Sequence, residues 1–300
     1  LLQQFTIDGT DQVHVFDKKE ERSFRTNISN VAAEKGFYNI ELEGVLLSAE
    51  LPLGRLETVA AQVIKKIIKQ ASLAQVSDEE RLWLSLFVAA QLVRTKNQRI
   101  QMKQMGDALN EKIRQMGFDP NDVEQLQELD AAGIKRSSVL GLPKTLVEFV
   151  PYIYEKPWLL LRSPKAESYY ISDNPVVMQN ENDLTPRGNL GLAVEGIEIY
   201  LPISARLRLA ILCPSHADNI REGYQKYLKI KRAGLLAEME VDPVSTKALK
   251  RLKYGLETGR AITSRHENMV NANSLQVIYS TRFVFSQDGK FDLVEEMIAD

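Results

Sequence analysis

The sequence holds one cysteine, Cys213, and three histidines, His14, His216 and His266, in 300 residues. One cysteine excludes a disulfide framework within the chain and favours a reducing compartment, so the cytoplasm is the expected location. Cys213 stands in the apolar run 209–213, where nothing nearby in sequence activates a thiol, and is expected to be a buried small hydrophobe. The histidines are far apart with no ligand spacing, which argues against a histidine metal site built from this chain alone. No stretch approaches the roughly 20 consecutive apolar residues of a membrane helix, and no charged-then-apolar leader opens the chain, so no membrane partner is expected. Walker loops, paired-cysteine zinc patterns, Gly-x-Ser-x-Gly elbows and dinucleotide fingerprints are also missing. The chain starts at Leu1 rather than Met, within the apolar segment 1–5, so its natural start is expected upstream.

The hydrophobic fraction of 44% and charged fraction of 26% belong to an ordinary globular protein that buries a substantial core. A net charge of −2 argues against coating nucleic acid by bulk electrostatics. The charge is nonetheless uneven. Residues 221–265 hold 11 basic against 5 acidic residues, interleaved with Tyr224, Tyr227 and Tyr254, whereas residues 119–130 carry five acids and no base. Nucleic acid is the partner to which Lys226, Lys229, Arg232, Lys250 and Arg251 would answer, although amphipathic helices also look like this.

Hydrophobic spacing organises the chain. Val13 and Val15 alternate with His14 and Phe16 after a turn at Asp8-Gly9, which predicts a small N-terminal β-element that residues 37–40 extend. From Leu53 an apolar stripe through Leu56, Val59, Val63, Ile64, Ile67 and Ile68 predicts a helix ending near Ser72. Ser77-Asp78-Glu79-Glu80 is a capping box, and a long helix is expected after it, buried through Leu82, Trp83, Leu86, Phe87, Ala90 and Val93 and interrupted at Gly106. Asp119-Pro120 predicts a short helix ending near Gly133. Strands then dominate: 158–161 and 169–171 as a hairpin, 197–201 and 207–212 as two more, and 283–285 before an Asp288-Gly289 turn. Ser215 and Asp242-Pro243 mark two further helix starts. The expected class is α+β, a helical N-terminal half packed with a mixed or antiparallel sheet from the C-terminal half. A single domain over 1–300 is expected, with subregions 1–150 (mainly helical) and 151–300 (sheet with flanking helices).

The best candidate for chemistry is Tyr169-Tyr170-Ile171-Ser172-Asp173-Asn174-Pro175-Val176. Pro175 fixes its own φ and pushes Asn174 toward extended backbone, holding Asp173 and Asn174 at a strand end. Asp173 either accepts backbone hydrogen bonds in a turn or acts as metal ligand or general base. In the second case Glu198 on a neighbouring strand would share a Mg²⁺ or Mn²⁺ ion for phosphoester hydrolysis, with Ile197, Ile199 and Leu201 facing the core and Glu198 and Tyr200 the opposite face. Tyr200 stands where the common nuclease pattern wants a lysine, which weakens a nuclease reading. Gln91, Arg94, Gln98 and Gln101 form one polar line at helical spacing, either solvated surface or a cleft face on which Arg94 clamps a phosphate. Glu41, Glu43 and Glu50 are surface or capping charges, or part of an acidic site.

Leu2-Gln3-Gln4-Phe5, Val13-His14-Val15-Phe16-Asp17-Lys18, Phe37-Tyr38, Glu50 before a helix, Leu92-Val93-Arg94-Thr95 with Arg99, Ser172-Asp173-Asn174-Pro175, and residues 197–202 occur in a familiar order. Together they resemble the bacterial domain-of-unknown-function family numbered 4238, over nearly the whole chain. The resemblance implies no activity. It singles out Asp173, Pro175, Arg94 and Glu50, and implies a His-Tyr-x-Pro motif just upstream of Leu1. The combined expectation is a bacterial cytoplasmic enzyme acting on nucleic acid or another phosphoester, with Asp173, Glu198 and Glu50 as catalytic carboxylates and Arg94, Arg99 and Asn174 binding substrate. The alternative is a non-catalytic ligand-binding or nucleic-acid-binding regulatory module.

Overall fold

In a computed structural model, residues 1–31, 38–42, 44–120, 131–182, 190–233 and 243–299 are described. The order begins with β1 (Gln12–Asp17), β2 (Arg22–Asn27), β3 (Asn39–Leu42), β4 (Val45–Ser48), α1 (Glu50–Gln70), α2 (Asp78–Val93) and α3 (Lys96–Gln115). It continues with α4 (Ala131–Leu140), α5 (Leu142–Tyr154), β5 (Trp158–Arg162), β6 (Ile171–Ser172), β7 (Val177–Gln179), β8 (Glu198–Ser204) and β9 (Leu207–Leu212). Last come α6 (Pro214–Arg232), α7 (Pro243–Thr258), β10 (Ile262–Thr263), α8 (His266–Tyr279), β11 (Phe283–Ser286) and α9 (Asp292–Ala299). The class is α+β, with most of the strands in the second half of the chain.

The central sheet runs β10-β5-β9-β8-β7, antiparallel except for β10, which pairs parallel with β5. Strand alternation sends Leu160, Ile199, Leu201, Leu209 and Ile211 to one face, where they join buried residues of α1, α2 and α5 in the largest core cluster. Leu159, Val177, Tyr200, Ala210 and Leu212 go to the other face, against Leu252 and Leu256 of α7 and Leu275 of α8. The sheet is therefore covered on both sides, which is why β9 is buried along its whole length. Ile197, Ile199 and Leu201 face the larger core, and Glu198 and Tyr200 turn the other way, as their alternation predicts.

A second sheet, β2-β1-β11-β6, draws strands from both subregions, 1–150 and 151–300. Expected neighbours are separated here. Strands β5 and β6 are not a hairpin, because β5 pairs with β9 and β10 while β6 pairs with β11. Their connection is held open by Arg206, whose guanidinium donates to the carbonyls of Ser163, Pro164 and Glu167. Nor does β3 extend the N-terminal element: it pairs with β4 in a sheet of its own. Phe37 and Glu43 lie outside the described residues, as does most of the helix expected after Asp119-Pro120.

The capping box forms as read, with Ser77 accepting from the Glu80 amide and Glu80 accepting from the Ser77 amide. The helix it starts stops at Val93, far short of Gly106. Thr95 accepts from the Gln98 amide and caps a new helix, α3, so the polar stretch 94–99 is a helix boundary. Burial on α2 also differs from the expected stripe: Leu84, Val88 and Ala89 are fully buried and Leu82 is exposed. Packing against α1 on one side and α5 on the other buries a wider arc than one stripe.

Candidate functional site

The octapeptide 169–176 is tied to the rest of the fold by side chains of α8. Asn273 accepts from the Tyr170 amide and donates to the Ser168 carbonyl. Gln276, 1% exposed, accepts from the Ser172 hydroxyl and donates to the Pro175 carbonyl. Asn174 donates to the Tyr279 carbonyl at the end of α8. Lys18 reaches the same helix end, donating to the carbonyls of Val277 and Ser280, and burial lowers its pKa while Asp173 works in the opposite direction.

Within this frame the Asp173 carboxylate accepts from the Thr281 amide at 2.8 Å, the Thr281 hydroxyl at 2.6 Å, the Arg282 amide at 2.8 Å and the Phe283 amide at 3.1 Å. It accepts backbone hydrogen bonds, but from the entry to β11 rather than from a local turn. Arg282 in turn grips Asp17, and those hydrogen bonds hold the Asp17 carboxyl below its ordinary pKa.

The other expected site residues are placed elsewhere. Arg94, at the end of α2, pairs with Glu57 of α1, and its carbonyl accepts from the Tyr38 hydroxyl and from Arg99. Glu50 is exposed at the start of α1 and accepts from the Tyr38 amide at 3.4 Å. Arg94, Arg99, Glu50 and Tyr38 thus meet around one corner of the helical layer, while Asp173 and Asn174 belong to the β6–β11 junction. Asp173 and Glu198 are held by different partners, and among the described residues no group of three or more His, Cys, Asp or Glu could hold a metal ion.

Glu198 lines a cavity of about 370 Å³ between the second face of the central sheet and α6, α7 and α8. It accepts from Gln179 at 2.8 Å, and Gln179 accepts from Asn271 at 2.9 Å. The Tyr200 hydroxyl joins them, accepting from Gln179. Burial, then the neighbouring Glu198 carboxylate, push the Tyr200 phenol well above its ordinary pKa, so it stays protonated.

Arg208 is the residue that the sequence reading missed. It is 4% exposed in the middle of β9, yet it carries a permanent charge. Its guanidinium lies 4.1 Å from the centroid of the Tyr200 ring and 5.4 Å from that of Tyr169. Nε and Nη1 are buried with no hydrogen-bond partner, and Arg208 forms no ion pair among the described residues. The signal was present as a charge at an alternating position inside Leu207-Arg208-Leu209-Ala210-Ile211-Leu212. His216, the first-turn histidine of α6, lines the same cavity and is held through Nε2 by the Gly196 carbonyl at 2.9 Å.

Lys226, Lys229, Arg232 and Lys250 are exposed on α6 and α7, while Arg251 donates to the Thr263 carbonyl. Cys213 is buried at the start of α6. Burial opposes its ionisation, but hydrogen bonds from Ser215 and the backbone, with Lys156 nearby, bring its pKa below the ordinary value.

The model of a family described as protein of unknown function, DUF4238, matches residues 1–290. The chain belongs to that family. No curated protein and no solved structure matches this DUF4238 chain. Among its described residues no helix is long and apolar enough to cross a membrane.

Proposed function

We propose that this protein acts on a small phosphoester held in the cavity between the central sheet and α6–α8. The observation that carries the reading is Arg208, a buried guanidinium with two unpartnered N–H donors at a cavity of about 370 Å³. An unpaired buried donor costs about 1–3 kcal/mol, and the aromatic faces of Tyr200 and Tyr169 offset a buried charge only in part. A phosphate in the cavity brings acceptor oxygens and a counter-charge to the guanidinium in its wall. The volume falls in the range of pockets that take one small organic ligand.

Hydrolysis is the reaction of this proposal. Water adds to phosphorus, the ester P–O bond breaks, and the alcohol leaves with a proton. Glu198 is the candidate base for that water. Glu198 and Glu181 both line the cavity, and two carboxylates with phosphate oxygens make up the oxygen donors that Mg²⁺ or Mn²⁺ takes in phosphoryl chemistry. The bacterial cytoplasm as setting, and nucleic acid as a partner of Lys226, Lys229, Arg232, Lys250 and Arg251, belong to the same proposal.

A second reading, a regulatory module that binds the same anion without turnover, is favoured by the hydrogen bonds that occupy Glu198. One experiment separates them: incubate the protein with small phosphomonoesters and Mg²⁺ or Mn²⁺, and measure phosphate release and binding together. Turnover that Glu198→Gln abolishes supports the enzyme, binding without turnover supports the module, and neither binding nor turnover sinks both.

A further inference from the structure

We infer that Cys213 is a modification site, a thiolate that hydrogen peroxide oxidises to sulfenic acid. The residue stands where β9 gives way to α6, in the N-cap position of that helix, and the Ser215 hydroxyl donates to its Sγ at 3.1 Å. A cysteine at a helix start is commonly inert, and the observation that sets this one apart is Lys156. Pairing of β5 with β9 puts Trp158 opposite Ile211, and the Leu212 amide donates to the Pro157 carbonyl at 2.9 Å, so the same antiparallel register carries Lys156 to the position opposite Cys213. Opposed residues of such a pair put their side chains on one face. Lys156 is 8% exposed, and its ammonium has neither a hydrogen bond nor an ion pair among the described residues. Burial lowers its pKa, and Cys213 works against that more strongly than the adjacent Glu155 does. A buried ammonium needs a counter-charge, and an ionised Cys213 supplies one.

The surroundings of the thiol favour that form. Burial raises its pKa, but the Ser215 hydroxyl, the Gly196 and Ser215 amides and the Lys156 charge together more than reverse the effect. The positive end of α6 acts in the same direction. The charged or titratable groups around it are Lys156 and Glu155 on the approach to β5, and His216 on α6, whose Nε2 is taken by the Gly196 carbonyl. In the reaction sulfur bonds to one peroxide oxygen, the O–O bond breaks, and the departing hydroxide takes a proton from Lys156, which regains it from water. Exposure of 6% selects the reagent: an oxidant close to water in size reaches Sγ where a bulky disulfide does not. The chain holds no second cysteine, so return to the thiol falls to an external thiol.

The test is oxidation of the whole folded chain by hydrogen peroxide with dimedone present to trap sulfenic acid, followed over time by mass spectrometry. The single cysteine makes every trapped adduct a report on Cys213. At pH 7 the parent should form the adduct about fivefold faster than Lys156→Met, with melting temperatures confirming both folds, and the two rates should converge to within about twofold at pH 9.5, where an ordinary thiol ionises unaided. The parent rate plotted against pH should have its midpoint below that of the urea-unfolded chain, and Ser215→Ala should move it upward. A bulky aromatic disulfide should react about tenfold more slowly with the folded chain than with the unfolded one. The proposal is overturned if the folded parent yields no adduct, or if its midpoint coincides with that of the unfolded chain. A folded Lys156→Met protein that matches the parent at both pH values removes the pairing on which the proposal rests. Where that variant does not fold, the pH profile of the parent decides.

Discussion

Replacing Asp173 by alanine removes an acceptor shared by three backbone amides and one hydroxyl at the entry to β11. The site is half-buried, so water reaches part of it and the Thr281 hydroxyl can turn to it, and each of the three stranded amides costs about 1 kcal/mol, near the lower end of the usual range. The sum is about 3 kcal/mol, which at about 2–4 °C per kcal/mol for a chain of this size lowers Tm by roughly 6–12 °C. Thr281→Val, which removes only the hydroxyl partner, should cost about 1 kcal/mol in the parent and close to nothing in the Asp173→Ala background, because its partner is already gone. Thermal melts and urea titrations of the four proteins complete the cycle. An Asp173→Ala protein that melts within 2 °C of the parent refutes the reasoning, and would return Asp173 to the list of groups kept for chemistry rather than for the β6–β11 junction.

Three further outcomes follow from other contacts. Gln276→Leu keeps the bulk of a side chain that is 1% exposed but strands the Pro175 carbonyl and leaves the Ser172 hydroxyl to the Asn174 carbonyl alone, so it should cost about 1–2 kcal/mol by urea denaturation and raise amide exchange across 169–176. The Asp17 carboxyl titrates below its ordinary value in the folded state, so its contribution is complete above about pH 4, the unfolded carboxyl range, and is lost as pH falls through the lower folded value. Asp17→Asn should therefore flatten the acid limb of a Tm-against-pH curve relative to the parent. At Gly259 φ is +66° and a Cβ would stand 2.8 Å from the Ala74 amide nitrogen, so Gly259→Ala should cost about 2 kcal/mol or more in a chemical melt, through left-handed strain plus displacement of the 71–74 turn.

What the sequence disclosed depended on the range of the interactions that decide each element. The start of α2 was legible because Ser77 and Glu80 satisfy each other's backbone within one turn. The two faces of β8 were legible because alternation is local. The break at Thr95 was hidden because a polar stretch looks the same whether it ends a helix or only faces water. The hairpin expected between β5 and β6 was misread because their true partners, β9 and β11, are distant in sequence and nothing near residues 158–171 announces them. Asp173 drew attention correctly as a fixed carboxylate, but the donors that fix it come from residues 281–283. Arg208 escaped for the opposite reason: only the layer of helices over the second sheet face makes its charge buried, and a strand read alone cannot show that a neighbour covers it.

The pairing of β1 with β11 ties the opening of the chain to its closing stretch, with the Asp17–Arg282 contact spanning 265 residues. During synthesis the β1–β2 hairpin emerges long before its partner exists, with the backbone groups of one β1 edge unpaired while the central sheet assembles behind it. Closure of that second sheet is a late event by necessity, and loop closure over so long a separation slows folding more than it weakens the finished structure. Until β11 arrives the waiting hairpin is an open edge to which another nascent chain can add, so yield on expression should depend on chaperones more than the stability of the finished protein suggests.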